Sequence, residues 1–525
     1  MTEAVAGADR ARRRERRTLL AAALTNGPTE LIDFVLPLWA GAAAGLGATG
    51  VGLLVAVEMA FSVVARPLAG VLADRRERRH VAAAGAALYA ASCAGYALAG
   101  GAAPAYAAAA VGGVGGALLW VSVRAIIGER LAEDSAVFPR LQAVQETGAW
   151  VAFVAGLSLL GFIGYSGLFW ACAAACAVAA GVLLRTPRGR GHAAEGVEAA
   201  GLGAVGRKLR PLLLAVALTM AAETAVSLLL LLHLQRGFHL EVVQIALVFL
   251  PGAIAMSVAS EHLHEYVVRF GRSRVLVWAS VASGLFAACL AWAPNPYVIA
   301  GLWVLSGLAW AAVIPVHQAV ITEATPGQVG RGMGVYESAS LVGAFAGSLA
   351  SGVLYDGVNW TAACLTAAGV ILAGAVLVPR AVRRLGVPDV PPPPPAAEPE
   401  PAPERTAERT AERTAERTAE RTAEPTPEPA ADAGPPPAPL PRRVLVRNLV
   451  GHAAVFIAAQ VALALFGLSW LRDLLTEDTR GVLLGGVPHE GLAAFAYGAG
   501  RFWTIAFLVD LGWTGWKITT AGREP

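Results

Sequence analysis

The chain has 525 residues, of which 56% are hydrophobic and only 15% charged, whereas soluble domains carry about a quarter charged residues. That composition excludes a soluble globular protein. The net charge of +3 says little by itself, because in a membrane chain the placement of Lys and Arg matters more than their sum, and no nucleic-acid partner is expected.

The first 18 residues form a basic terminus, with arginines clustered from Arg10 to Arg17. A long apolar span follows with no small-residue cleavage site, which predicts a retained first helix rather than a removable signal. A bilayer core of about 30 Å needs roughly 20 apolar residues in a helix. Twelve such spans are expected, at 19–41, 49–72, 80–100, 105–127, 143–163, 166–185, 211–233, 242–263, 275–293, 297–320, 334–355 and 360–380. Alternate connections are basic: Arg75–Arg79, Arg130 with Arg140, Arg185–Arg210, Arg269–Arg274, Arg331 and Arg380–Arg384. The connections between them hold almost no Lys or Arg, Arg236 excepted. By the positive-inside rule both ends of the twelve-span unit are expected in the cytoplasm. Heavy use of Ala, Gly, Arg and Pro suggests a GC-rich bacterial genome and hence a bacterial inner (plasma) membrane.

Several features recur at an offset of 194 residues. Leu24-Thr25 returns as Leu218-Thr219, and each is followed by an acid, Glu30 or Glu223. Ala125-Ile126-Ile127-Gly128-Glu129 returns as Ala319-Val320-Ile321-Thr322-Glu323, while Asp74-Arg75 lines up with Val268-Arg269. Two six-helix halves are therefore expected, at 19–185 and 211–385, joined by a cytoplasmic linker at 186–210.

Beyond residue 385 the sequence turns Pro-rich, then runs through five Glu-Arg-Thr-Ala units from Glu404 to Ala423, then returns to Pro. The stretch 386–441 reads as a spacer, extended or partly helical through Arg-Glu pairs, with disorder equally compatible. From 442 to 525 two further apolar spans, 449–470 and 492–514, are expected to form a membrane hairpin. Asp473, Glu477 and Asp478 would lie in its outside loop, and Trp470, Trp503, Trp513 and Trp516 at the interfaces. Another membrane protein is a candidate partner for this hairpin.

The second span ends in Gly70-Val71-Leu72-Ala73-Asp74-Arg75-Arg76-Glu77-Arg78-Arg79. This strongly resembles the Gly-x-Leu-Ala-Asp-Arg-x-Gly-Arg-Arg motif of the Major Facilitator Superfamily, with Glu77 in place of a glycine. The second half keeps only part of it, in Gly271 and Arg272, and has Val268 at the acidic position. The resemblance covers about residues 15–385 and is closest to the drug and metabolite efflux branch. It implies an all-α membrane fold of twelve helices, here with two more appended, and a substrate site between the halves. It also implies that Gly70, Asp74, Arg75, Arg78 and Arg79 latch one conformation. Two marks of that branch are missing: Ala108 and Ala109 stand where an intramembrane Arg often precedes the glycines of the fourth helix, and the fifth helix lacks a Gly-Pro pair.

An acid near the centre of a spanning helix costs about 3 kcal/mol, so such acids usually face a cavity or a partner. Glu30 and Asp33, three residues apart on one face of the first span, are the leading candidates for proton coupling and substrate binding. Repulsion and desolvation penalise their doubly charged state, as a proton-exchanging pair requires; the bland reading is a pair of cavity-lining acids. Glu223 is expected to face the same cavity from the other half, Glu58 to sit toward the outer side of the second span, and His317, just after Pro315, to join a proton path or to be structural. Arg66, Arg124, Glu129, Glu146 and Glu323 fall near the cytoplasmic ends, where snorkelling, salt bridges or gating account for them.

The five cysteines, Cys93, Cys172, Cys176, Cys289 and Cys364, lie in apolar stretches, where neither a disulfide framework nor a metal site is expected. No nucleophile-base constellation, cofactor motif or sizeable soluble domain points to an enzyme, and no cofactor is expected. The sequence thus predicts a proton-coupled exporter of small amphipathic or cationic compounds. A proton-symport importer and a non-transporting membrane scaffold or sensor are the alternatives.

Overall fold

The computed structural model describes residues 2–42, 46–189, 201–240, 242–357, 359–391 and 442–476, with scattered positions from 482 to 515. Among the described residues there are helices and no strands, the expected class. In lipid a backbone amide has no water to turn to, so a spanning segment must satisfy its own hydrogen bonds, as a helix does.

The helices are α1 (Thr2–Ala42), α2 (Ala48–Arg75), α3 (Arg78–Leu98), α4 (Ala102–Gly128), α5 (Val137–Leu184), α6 (Leu202–Arg236), α7 (Val242–Phe270), α8 (Arg272–Leu290), α9 (Pro296–Ala324), α10 (Val329–Gly357), α11 (Trp360–Arg384), α12 (Arg442–Leu465) and α13 (Trp470–Thr476). α5 is continuous in hydrogen bonding but breaks direction at Gly164, whose φ of 66° and ψ of 179° are not helical. That backbone region is open to glycine and strained for other residues. The sequence predicts a loop there between two spans; the structure instead folds one long helix at a single residue, so α1–α11 supply twelve rods.

Nine helical stretches among the described residues are long and apolar enough to cross a membrane. Their outer faces carry Leu53, Phe61, Val64 and Leu68 on α2 and Trp278 and Leu285 on α8, all exposed, as suits lipid and not water. Two helix starts carry side-chain caps. Asn295 accepts a hydrogen bond from the Val298 amide at 3.0 Å with Pro296 opening α9, and Asn359 accepts from Ala362 at 2.8 Å to start α11. The Asn-Trp-Thr triplet at 359–361 is thus occupied as a helix cap.

α1–α5 pack into one bundle and α6–α11 into another, in the same pattern. Small residues set the equivalent seams: a side chain at Gly148 would strike the Ala23 carbonyl, and one at Gly343 would strike that of Ala217. At the end bearing the basic loops the two bundles share one hydrophobic core, in which Ala125, Ile127 and Leu141 join Ala319, Val320 and Met333. At the other end each bundle has its own: Leu36, Trp39, Tyr96 and Phe169 in the first, Val226, Leu230, Phe286 and Cys364 in the second.

By chain contacts, residues 1–392 with 456–505 form one compact unit and 393–455 with 506–525 another. Within the first, Gln460 of α12 donates to the Gly500 carbonyl and to Thr504, both at 3.1 Å, and accepts from Ser469 at 3.0 Å. The spacer 392–441, the central part of the 186–210 linker, and Glu477, Asp478, Asp510, Trp513 and Trp516 lie outside the described residues.

Candidate functional site

The first three helices place the charges of the Gly70–Arg79 motif at the basic end. α2 ends where Arg76 turns extended, and α3 starts at Arg78. Arg78 is thereby buried and turned inward, donating to the Ala125 carbonyl and to Glu129, each at 3.0 Å, with Asp74 at 3.7 Å. Arg14 reaches the same Glu129 carboxylate at 2.9 and 3.0 Å. Arg79 donates to the Thr186 carbonyl at 2.6 Å, and Arg75 is exposed. Glu77, the departure from the family pattern, accepts from the Gly189 amide at 3.2 Å and sits 3.5 Å from Arg14.

The second half repeats this at Arg272 and Glu323, paired through two hydrogen bonds of 2.8 and 2.6 Å. Arg272 is 1% exposed and also donates to the Pro388 carbonyl at 3.0 Å. Gly271 opens α8 with a φ of 86°, and the Asp389 carboxylate packs against it while accepting from the Ser273 amide at 2.8 Å.

Asp74 reaches across to the other bundle, which the aligned Val268 has no acceptor to do. Its two oxygens accept from the Gly330 and Arg331 amides at 2.8 and 3.0 Å, capping α10 of the opposite bundle. A helix start offers unpaired N–H groups and partial positive charge, so a carboxylate there is doubly favoured. Gly70 and Gly330 meet backbone to backbone beside it, with no room for a side chain on either. About two helical turns further along α10, Glu337 is paired with both Arg66 of α2 and Arg124 of α4, the latter at 2.6 Å. Ser338 donates to the Val63 carbonyl at 2.9 Å, Thr147 meets Ser257 at 2.6 Å, and Ser135 meets His264 at 2.9 Å. These side-chain bonds join the two bundles. Arg66 and Arg124 fit the gating reading; their partner Glu337 was missed, because nothing in a Gly-rich helix signals which neighbour it meets.

Further from that end, acids gather in the first bundle. Glu30 and Asp33 are exposed on α1, beside buried Leu31 and Ile32. Asp33 lies within electrostatic reach of Glu58 on α2 as well as of Glu30. Glu30 is likewise in reach of Glu146 on α5, which accepts from Gln142 at 2.7 Å. Glu146 is therefore part of the acid group and not a snorkelling residue: α1 and α5 pack so closely at Gly27 and Gly148 that their polar faces coincide. The buried side chains of Tyr89 and Tyr96 lie within the field of Glu58 and Asp33, with the Tyr96 hydroxyl beside Glu58. α4 comes close enough for a side chain at Gly113 to strike the Glu58 carbonyl, so its glycines serve packing. Asp33 thus feels the charges of Glu58 and Glu30, and Glu146 that of Glu30.

Glu223, expected from the repeat to face the same cavity as those acids, has its described partners within its own bundle. It is buried in the second bundle, accepts from Ser283 of α8 and lies within reach of Trp310. With Thr219 and His317 it lines a small pocket between α6, α8 and α9. Hydrogen-bond donors on two neighbouring helices hold it there. His317 is 3% exposed, its Nε2 has no partner, and its ring lies 6.1 Å from Tyr336.

A family model described as Major Facilitator Superfamily matches residues 18–264 and 265–520. No curated protein matches the sequence. Among solved structures, the human organic anion transporter MFSD10 (TETRAN) is similar with a TM-score of 0.59 at 19% identity, covering 70% of this chain and 99% of that one. A mutant of the nucleoside transporter NupG is similar with a TM-score of 0.52 at 14% identity, again covering 70% and 99%. At such identities the likeness concerns the fold.

Proposed function

Since this chain belongs to the Major Facilitator Superfamily, and is thus a membrane transporter of small molecules and not an enzyme, we propose that it exports small amphipathic or cationic organic compounds in exchange for protons. The observation that carries this reading is the group of Glu30, Asp33, Glu58 and Glu146, whose electrostatic neighbours are one another. Four carboxylates in a lipid-embedded bundle cannot all stay ionised without a counter-charge. Protons and a cationic cargo are the two ways to supply it, and competition between them is antiport.

The basic loops are assigned to the cytoplasm by the positive-inside rule. On that assignment the closed end is the cytoplasmic one, and Glu30 and Asp33 face a cleft open to the outside. Alternating access then requires Asp74 to leave the start of α10 and Glu337 to leave its two arginines. Glu223 and His317 are assigned a separate proton site within the second bundle. A bacterial inner membrane is the proposed location.

The test is proton flux in inverted membrane vesicles, followed with a pH-sensitive dye while cationic and amphipathic compounds are added. Compound-dependent proton release is expected from the wild type and not from Glu30→Gln/Asp33→Asn. An unchanged response in the double variant would sink the assignment of the acids.

A further inference from the structure

Arg66 and Arg124 both belong to the first bundle and lie close enough to repel one another. The single carboxylate that joins them comes from the other bundle. It bridges them one oxygen each, Arg66 Nη1 on Oε2 and Arg124 Nη1 on Oε1 at 2.6 Å. Each arginine is held by its own side: Arg66 Nε donates to Ser62 at 3.1 Å, and the Arg124 guanidinium lies 5.7 Å from the Trp120 ring. The Arg124 Nε–H has no hydrogen-bond partner, so a donor remains unused beside the bridging carboxylate. Glu337 itself is 4% exposed.

When the bundles part at this end, Glu337 leaves with α10 while the two guanidiniums stay on α2 and α4. Two like charges would then line the opened cleft without their counter-ion, and their mutual repulsion favours an anion between them. Guanidinium is a planar donor fork matched to carboxylate, so an anion of that shape can take the vacated position.

We propose that Arg66 and Arg124 form a carboxylate-binding site, filled by Glu337 when the bundles meet at the basic end and by the carboxylate of a small organic compound when they part. The proposal rests on the alternating-access reading above and extends its cargo from simple cations to amphoteric compounds. The amine of such a compound would address the acids of α1, and its carboxylate the arginine pair.

The probe is benzoate, with neutral benzamide as control, titrated against the purified full chain in detergent while thermal unfolding is followed. Glu337→Gln removes the internal competitor. Benzoate is expected to raise its unfolding temperature with a half-effect concentration at least about tenfold below that of the wild type. Benzamide should have no effect, and Glu337→Gln/Arg124→Gln should lose the response. Asp74→Asn weakens closure from a separate point and leaves the triad intact, so it too should respond to benzoate more than the wild type does. The proposal is overturned by equal responses in wild type and Glu337→Gln, by an equal effect of benzamide, by a response that survives loss of Arg124, or by silence in both single variants. Binding is read without proton flux, so failure of the antiport reading and failure of this site are distinguishable.

Discussion

The two bundles share a skeleton and differ in their charges. Arg78 with Glu129 and Arg272 with Glu323 are equivalent pairs, each 51 residues apart in sequence. Thr25 and Thr219 make the same back-bonds, to the Ala21 carbonyl at 2.8 Å and to that of Ala215 at 3.0 Å. Yet the first bundle holds four grouped acids, where the second holds one enclosed with a histidine. The first also reaches across to cap α10 with Asp74, whereas the corresponding Val268 has no acceptor to offer, and ahead of α5 Asp134 accepts from the nearby Ala136 amide at 2.9 Å. The repeat thus keeps the pairs that hold each bundle together, while the grouped acids and the groups that face the other bundle differ.

The sharpest break in that comparison is functional. Glu30→Gln/Asp33→Asn should abolish compound-driven proton release, whereas Glu223→Gln, away from the cleft, should retain part of it in the same vesicle assay; equal losses would erase the distinction between the two acid sites. Next come the equivalent ion pairs. Arg272→Met removes the ion-pair partner of a partly buried Glu323 and should cost about 3–5 kcal/mol, the range for breaking a buried pair. Arg78→Met should cost less, because Glu129 keeps Arg14, and thermal unfolding of the two variants would rank them. Asp74→Asn weakens two charge-assisted bonds to α10, each worth about 1.5–3 kcal/mol. It should raise labelling of a cysteine placed at the basic end of the seam roughly tenfold, on the scale of 1.4 kcal/mol per decade, while Val268→Asn should leave labelling unchanged. The smallest effects are the most symmetric. Thr25→Val and Thr219→Val should each shift stability by about 1 kcal/mol or less, and by similar amounts; a large difference would show that the shared skeleton is not equally stressed in the two bundles.

Much of this was legible beforehand, for reasons that can be located. Lipid leaves a spanning chain little choice but helix, so composition and spacing reveal the class. Glu30 and Asp33 could be picked out because an acid in an apolar span is conspicuous. Glu146 was read wrongly because it stands among polar neighbours such as Gln142 and Gln145, and its membership depends on which face of α5 meets α1. Glu337 was overlooked for a similar reason: its partners are 213 and 271 residues away, and no local pattern encodes such distances.

The sequence by itself determined that the chain is helical, lies in a membrane, is built from a duplicated unit and carries a family motif at Gly70–Arg79, because each of these depends on local composition or on self-similarity. Only the tertiary structure decided that α5 turns at Gly164, that Glu223 is enclosed apart from the other acids, and that Asp74 and Glu337 close the basic end. Those outcomes depend on which helix faces meet, and that is settled by close packing at small residues such as Gly70, Gly148 and Gly330, whose effect appears when the bundles are assembled.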